Sequence, residues 1–248
     1  MNNTNFDNKQ YELAYQDGMG NHYWHLARNR FIEKKLTGLS LENERVLDVG
    51  CGRGILIEYL RGRGVDCWGA ERAKVRTVAA VEKYIFTYCD TSELDVEFRK
   101  SVKALLLLDV IEHLPDPSDL ILQLSKQFQN AEYLIITTPA RKELWSNYDL
   151  FYGHFRRYDL RMFAGLVKDT TFEIVDLRYF FHLLYPIMKI FFLFSKERSI
   201  RIVAPKGPAI LLHKFLAKVF QLTDEYLPGK IVGASIFCCI KIRDKKDI

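Results

Sequence analysis

The segment Val46-Leu47-Asp48-Val49-Gly50-Cys51-Gly52-Arg53-Gly54 limits the folds open to this chain more than any other. A short apolar run enters a turn with alternating glycines, and a helix-like stretch follows. Glycine accepts positive φ and lets a ligand reach the backbone with no Cβ in the way. Asp48 stands at the strand end, where a carboxylate can face a cation or an amine. This order points to a nucleotide-type site at the carboxyl ends of the strands of an open α/β sheet. The spacing is G-x-G-x-G, so the third glycine arrives one residue early for the G-x-G-x-x-G turn of dinucleotide sites.

Around that turn, strand-like runs alternate with amphipathic segments, which argues for a parallel sheet with right-handed crossovers. Strands are expected at Arg45–Val49, Val65–Ala70, Ile85–Cys89, Ala104–Val110, Glu132–Thr138, Phe172–Tyr179 and Ala234–Ile242. Helical spacing marks Leu26–Leu39, Ile55–Arg61, Ala73–Tyr84, Leu94–Val102, Asp116–Phe128 and Asp159–Lys168. The run Leu105–Leu108 has no polar alternation, as expected of a strand covered on both faces. Residues 1–22 are polar and read as a flexible or capping arm. Residues 181–231 read as a helical cap of two amphipathic helices, with a turn around Pro205–Pro208, inserted before the last strand. A single domain over 1–248 is expected: arm and helix in 1–40, a ligand-binding core in 41–180, the cap, then the last strand and tail in 232–248.

Composition narrows the function classes. With 48% hydrophobic residues in 248, the chain has enough apolar mass for a sizeable core. A net charge of +5 suits an anionic substrate or an acidic membrane surface and does not demand nucleic acid. Cys51, Cys67, Cys89, Cys238 and Cys239 form no C-x-x-C pair and read as reduced thiols of a cytoplasmic protein. Met1–Gln10 has no apolar signal region. Tyr179–Phe194, interrupted by His182, Pro186 and Lys189, falls short of the roughly 20 apolar residues a membrane span needs.

The order of Leu47-Asp48-Val49-Gly50-Cys51-Gly52-Arg53-Gly54, Gly69-Ala70-Glu71, Tyr88-Cys89-Asp90, Leu108-Asp109-Val110-Ile111-Glu112-His113-Leu114 and Thr137-Thr138-Pro139 resembles the class I S-adenosylmethionine-dependent methyltransferases. Within them it is most similar to the bacterial small-molecule group that includes the ubiquinone-biosynthesis O-methyltransferases. The resemblance covers roughly Tyr23 to Phe180 and the final strand. It implies a Rossmann-like seven-stranded sheet with helices on both faces, the last strand antiparallel between strands five and six. It also implies S-adenosylmethionine as methyl donor, S-adenosylhomocysteine as product, and a small-molecule or lipid-linked acceptor.

The residues themselves support donor roles. Glu71 ends strand two, where a carboxylate can accept both hydroxyls of a ribose. The alternative is a surface glutamate beside Arg72. Asp90, with Thr91, either accepts from an adenine amino group or caps a helix. Asp109 and Val110 line the floor near the donor's amino-acid end, with Asp48, Gly50, Cys51 and Gly52 around the turn. Trp24 and Arg28 either close over the donor, Arg28 forking onto a carboxylate, or begin an ordinary amphipathic helix.

On the acceptor side, His113 is a base or a loop-holding residue. The loop Tyr148–Tyr158 brings His154, a candidate general base, together with Tyr152, Arg156 and Arg157. The arginines hold an anionic acceptor group or pair with neighbouring acids. No metal constellation is evident from spacing, since His22 and His25 lack matched acidic partners. The cap, apolar in His182–Phe194 and Leu211–Leu222 with Lys196, Arg198, Arg201 and Lys206 between, reads as a lid, a dimer contact or a membrane-surface segment over 182–220. The competing functions are a nicotinamide-dependent oxidoreductase and an inactive nucleoside-binding scaffold of the same fold. No Asn-Pro-Pro-Tyr or Asp-Pro-Pro-Tyr stretch follows strand four, which argues against nucleic acid as substrate.

Overall fold

The computed structural model describes residues 8–167, 171–195 and 197–243. Its strands are β1 (Arg45–Val49), β2 (Cys67–Glu71), β3 (Ile85–Thr87), β4 (Val102–Leu108), β5 (Tyr133–Pro139), β6 (Phe172–Phe180) and β7 (Ser235–Ile242). Its helices are α1 (Asn8–Ala14), α2 (Tyr23–Gly38), α3 (Ile55–Arg61), α4 (Val96–Ser101), α5 (Pro117–Gln127), α6 (Asn147–Phe151), α7 (Leu160–Leu166), α8 (Leu184–Phe194) and α9 (Ala209–Tyr226).

The strands form one sheet in the order β3-β2-β1-β4-β5-β7-β6. Pairing is parallel from β3 through β5. β7 runs antiparallel to both β5 and β6, with Cys238 opposite Ile136 on one side and Leu177 on the other. The Rossmann-like sheet with an antiparallel last strand is therefore present. Strand order reverses at β1, with β2 on one side and β4 on the other. The crevice beyond the tips of β1 and β4 is thus the switch point where open α/β sheets bind ligands.

Two apolar clusters cover the faces of the sheet. On one, Ile32 and Leu36 of α2, Leu56, Ile57 and Leu60 of α3, and Ala217 and Phe220 of α9 pack over Val46, Leu106 and Phe237. On the other, Ile121 and Leu124 of α5 and Phe163 of α7 cover Leu47, Leu105 and Ile136. Alternate residues of β4 and β7 thus face opposite layers, which explains their unbroken apolar runs. Each fully buried Leu, Ile or Phe contributes about 1.5–3 kcal/mol. The cysteines Cys51, Cys67, Cys89, Cys238 and Cys239 are all free.

Two expectations need correction. The helix expected over Ala73–Tyr84 does not form: residues 73–78 are irregular and only a 3-10 turn, Ala79–Tyr84, remains. β-branched Val75, Thr77 and Val78 weaken a helix there, and Val78 N donates to Arg53 O (2.9 Å), tying the segment to the glycine loop. The polar N-terminal arm contains a helix, α1. The last residue expected in the Asp159–Lys168 helix lies outside the described residues, as does Lys196 of the cap. The loop after β5 holds α6, whose start is a reciprocal cap: Ser146 Oγ accepts from Tyr148 N (3.3 Å) and Asp149 Oδ2 from Ser146 N (2.9 Å).

Candidate functional site

Two cavities open at the carboxyl edge of the sheet. The first, of about 220 Å³, lies beyond β1, β2 and β4. Gly50, Gly52, Glu71, Arg72, Asp90, Thr91, Asp109 and Val110 line it, with Tyr11 of α1, Tyr15 just after that helix, and Gln123 and Gln127 of α5. The glycines are structural requirements here. Gly50 has φ +78°, and a Cβ on it would stand 2.8 Å from Val110 Cγ2. Gly54 has φ +85°, and a Cβ there would stand 2.3 Å from Ile85 Cδ1.

Glu71 holds this loop in shape. Its Oε2 accepts from Gly52 N and its Oε1 from Ala73 N, both at 2.9 Å. Burial raises its pKa, and those two backbone bonds and the Tyr11 hydroxyl pull it back down. Asp90 is engaged on both oxygens: Oδ1 accepts from Ser92 N (2.9 Å), and Oδ2 pairs with Arg72. Burial works to raise its pKa, but the bonds from Ser92 and Arg72 outweigh it and lower the carboxyl. Thr91 Oγ1 donates to Gln127 Oε1 (2.8 Å).

Asp48 and Cys51 lie behind the loop rather than on the cavity wall. Cys51 packs on β2, its Sγ 2.5 Å from where a Gly69 Cβ would stand. Asp48 is buried, and its pKa is pushed up to about 7 by that burial, with Arg28 opposing and Glu71 and Asp109 adding to it. Arg28 is also outside both linings. Its Nη1 pairs with Asp109 Oδ2 at 2.7 Å, its guanidinium lies 4.6 Å above the Trp24 ring, and its Nε is buried without a hydrogen-bond partner. Asp109 adopts φ +58°, unusual for a non-glycine residue. Such strain costs on the order of 1–3 kcal/mol and gathers at functional positions.

The second cavity, of about 460 Å³, lies between β5, α6 and the cap. Trp24, Tyr152, His154, Arg157 and Glu112 line it on the sheet side, and Leu184, Met188, Phe191 and Phe192 of α8 form an apolar wall. Asp149, fully buried, organises the sheet side. It binds His154 Nδ1 (2.9 Å) and Arg157 through Nε (2.7 Å) and Nη2 (3.1 Å). Burial alone would raise the Asp149 pKa, but the bonds from His154 and Arg157 win and bring it down to about 2. Arg157 is therefore held by an acid rather than left free for an anion. Arg156 lies outside the cavity, its Nη2 donating to Pro115 O (2.6 Å). Tyr152 donates from its hydroxyl to Ile200 O (2.7 Å), fastening the segment between α8 and α9. His113 meets His154 edge-on, ring centroids 4.8 Å apart, and its pKa is lowered to about 3 by burial first and His154 second. Glu112 is buried, and burial, with Asp109 adding to it, raises its carboxyl well above the usual range.

Tyr15, Asp109 and His113 line both cavities, so they mark where the two meet. Sequence reading missed Tyr11 and Tyr15, although their spacing puts them on one face of a helix. It also missed Asp149, whose Ser146-x-x-Asp149 cap was a readable signal, and Glu112 as part of a cluster with His113 and His154. Nothing in the spacing of those three residues announces that they meet.

Residues 23–177 match the methyltransferase domain family. The chain belongs to that family. It is 26% identical over 162 residues to a ubiquinone biosynthesis O-methyltransferase of Marinobacter nauticus, covering 57% of this chain and 66% of that one. A protein of the same description from Proteus mirabilis is 27% identical over 156 residues, covering 55% and 63%. The chain thus spans just under two thirds of the length of these relatives. In fold it is similar to the plantazolicin methyltransferase BpumL in complex with a triazolic desmethylPZN analog and SAH, with a TM-score of 0.55 at 14% identity over 95% of this chain and 89% of that one. It is also similar to a Burkholderia thailandensis 1,6-didemethyltoxoflavin-N1-methyltransferase, with a TM-score of 0.53 at 14% identity over 93% and 81%.

Proposed function

We propose that this chain transfers a methyl group from S-adenosylmethionine to an oxygen of a small-molecule or lipid-linked acceptor. The observation that carries the reading is the meeting of two unlike cavities at Tyr15, Asp109 and His113. One has the glycine loop and Glu71 that suit a nucleoside; the other has an apolar wall and a histidine that suit an acceptor. The donor's residues fit. Glu71 has lone pairs left after its two backbone bonds, and it and Asp109 are carboxyl groups on the cavity wall that suit a cation. Bound there, the sulfonium supplies an already activated methyl group, so the protein's main contribution is alignment.

His154 takes the acceptor's proton in this reading. Asp149 fixes its ring through Nδ1, which leaves Nε2 as the basic nitrogen. His113, kept neutral by burial, packs beside it. Calorimetric titration with S-adenosylhomocysteine tests the donor half; no heat at millimolar ligand removes it. Methyl transfer across hydroxylated acceptors tests the rest, and a preference for amines over hydroxyls would remove the oxygen assignment.

The cap supports a membrane-surface acceptor route. No helix among the described residues is long and apolar enough to cross a membrane. Yet Ile187, Ile190, Leu193 and Phe194 of α8 and Leu211, Leu212 and Phe215 of α9 are exposed, with Lys189, Arg201, Lys206 and Lys214 among them. Apolar faces edged by cations bind anionic bilayers. On this reading the enzyme works on the cytoplasmic side, in keeping with its free cysteines. Flotation with anionic liposomes at low salt, against neutral liposomes, checks it; equal recovery in both would sink the membrane contact.

A further inference from the structure

The segment between α8 and α9 is irregular, yet it is fastened over the second cavity. Asn147 Nδ2 donates to Arg198 O and Arg198 N donates to Asn147 Oδ1, both at 2.9 Å. The Tyr152 hydroxyl donates to Ile200 O (2.7 Å), and Ile202 N donates to Leu13 O (3.3 Å). These bonds fix residues 197–203 as a strap from α6 to α1, and they bring Arg198 and Arg201 to the cavity lining. The Arg198 guanidinium lies 4.0 Å above the Tyr148 ring. Stacking occupies the guanidinium's face and leaves the N–H donors at its edge. Burial raises the Tyr148 and Tyr152 hydroxyls, and the Arg198 charge opposes it, so that charge faces the same polar wall.

The carboxyl groups and the other arginine on this lining are answered within the protein. Asp109 pairs with Arg28, and Arg157 with Asp149. Glu112 is buried, which raises its carboxyl well above the usual range. Among the described residues, no acid pairs with Arg198 or with the exposed Arg201. The strap thus gives a partly enclosed cavity an uncompensated positive charge, which draws an anion. The same cavity has the apolar wall of Leu184, Met188, Phe191 and Phe192. We propose that Arg198, with Arg201 at the rim, binds a carboxylate or phosphate group of the methyl acceptor, which is therefore an anionic amphiphile. The proposal rests on the methyl-transfer reading above and goes beyond it in giving the acceptor a charge. Arginine forks onto either anion through two parallel N–H bonds. Tyr148 sets the spacing, with Arg198 stacked on its ring and the His154 ring 6.4 Å away, centroid to centroid. The anionic group and the accepting hydroxyl thus belong to one compact polar head, and the apolar remainder follows α8.

The test uses the full chain and soluble probes of equal chain length: octyl phosphate, octanoate and octanol. Calorimetry at low salt is expected to show one of the two anions bound at least about 10-fold more tightly than octanol. A preference for octyl phosphate supports a phosphate on the acceptor, and one for octanoate supports a carboxylate. Arg198→Gln is expected to remove most of that preference and Arg201→Gln a smaller part, with octanol binding unchanged in both. Octanol binding as tightly as both anions overturns the proposal, as does a preference that Arg198→Gln leaves intact. Inorganic phosphate binding as tightly as octyl phosphate also overturns it, because the arginines then hold a free anion. So does a loss of flotation with anionic liposomes in both variants while the octyl phosphate preference stays, which assigns the arginines to a bilayer surface. Titration of the same samples with S-adenosylhomocysteine reports the fold and the first cavity separately. The expected probe preference without a response to S-adenosylhomocysteine supports the anion site and removes the donor reading instead.

Discussion

The crevice proposed for the donor and the cavity proposed for the acceptor share one wall but are built in opposite ways. The crevice is made by the tips of neighbouring strands in the sheet, β2, β1 and β4, each delivering residues at or just beyond the end of an apolar run. Its glycine turn is fixed by backbone N–H groups of Gly52 and Ala73 donating to Glu71, and its other polar groups pair separately, Asp90 with Arg72 and Thr91 with Gln127. The acceptor cavity is assembled from α2, the turn after β4, the loop after β5 and the cap, far apart in sequence. Its polar groups bond to one another through the buried Asp149. The first site is specified by local geometry, the second by a network, and networks fail differently when one member is removed.

The sharpest way to break this contrast is Asp149→Asn. It leaves the Arg157 guanidinium buried with half its partner gone, and removal of one member of a buried pair costs about 3–5 kcal/mol. Urea unfolding is the measurement, and a loss below about 1 kcal/mol would show that the acceptor side is not a network. Next is Gly50→Ala, which meets both a φ of +78° and Val110 Cγ2. A loss of about 1–3 kcal/mol in stability is expected, together with weaker S-adenosylhomocysteine binding by calorimetry. An unchanged titration would mean that the loop's shape does not govern the crevice. Glu71→Gln leaves one oxygen to accept where Gly52 N and Ala73 N now use two, and loses about 1.5–3 kcal/mol of S-adenosylhomocysteine affinity in the same titration.

The smallest effect is in pH. His113 has a folded pKa of about 3 against an ordinary value of 6.5, so the folded state prefers it neutral. Its contribution is therefore present above pH 6.5 and lost as pH falls from there toward 3. Asp48 works in the other direction, its raised value of about 7 costing stability as pH climbs from about 4 to 7. Thermal midpoints of His113→Gln against the wild type should converge below pH 5. Parallel curves across that range would assign the acid loss elsewhere.

Much of the sheet was legible in advance. β1 and α3 lie where the spacing puts them, and β7 takes the antiparallel place implied for it. The misreadings share one cause. At 73–78, a backbone bond to Arg53 overrides a helical spacing that β-branched residues had already weakened. Arg156 and Arg157 look alike in sequence, yet one reaches Pro115 O outside the cavity and the other is spent on Asp149. The polar arm hid the helix that places Tyr11 and Tyr15 beside the glycine turn.

By itself, the order of residues determined the sheet, the glycine turn and the carboxylates at the strand tips, because period, glycine and strand ends are properties of short segments. Only the tertiary structure decided that Glu112, His113 and His154 meet, that Asp149 stands behind them, and that Arg28 turns to Asp109. The first and the last of those contacts join residues tens of positions apart, and the Asp149–His154 contact depends on a turn that only the packed loop makes. Their partners are chosen by which groups burial leaves facing each other, a choice that no local pattern encodes.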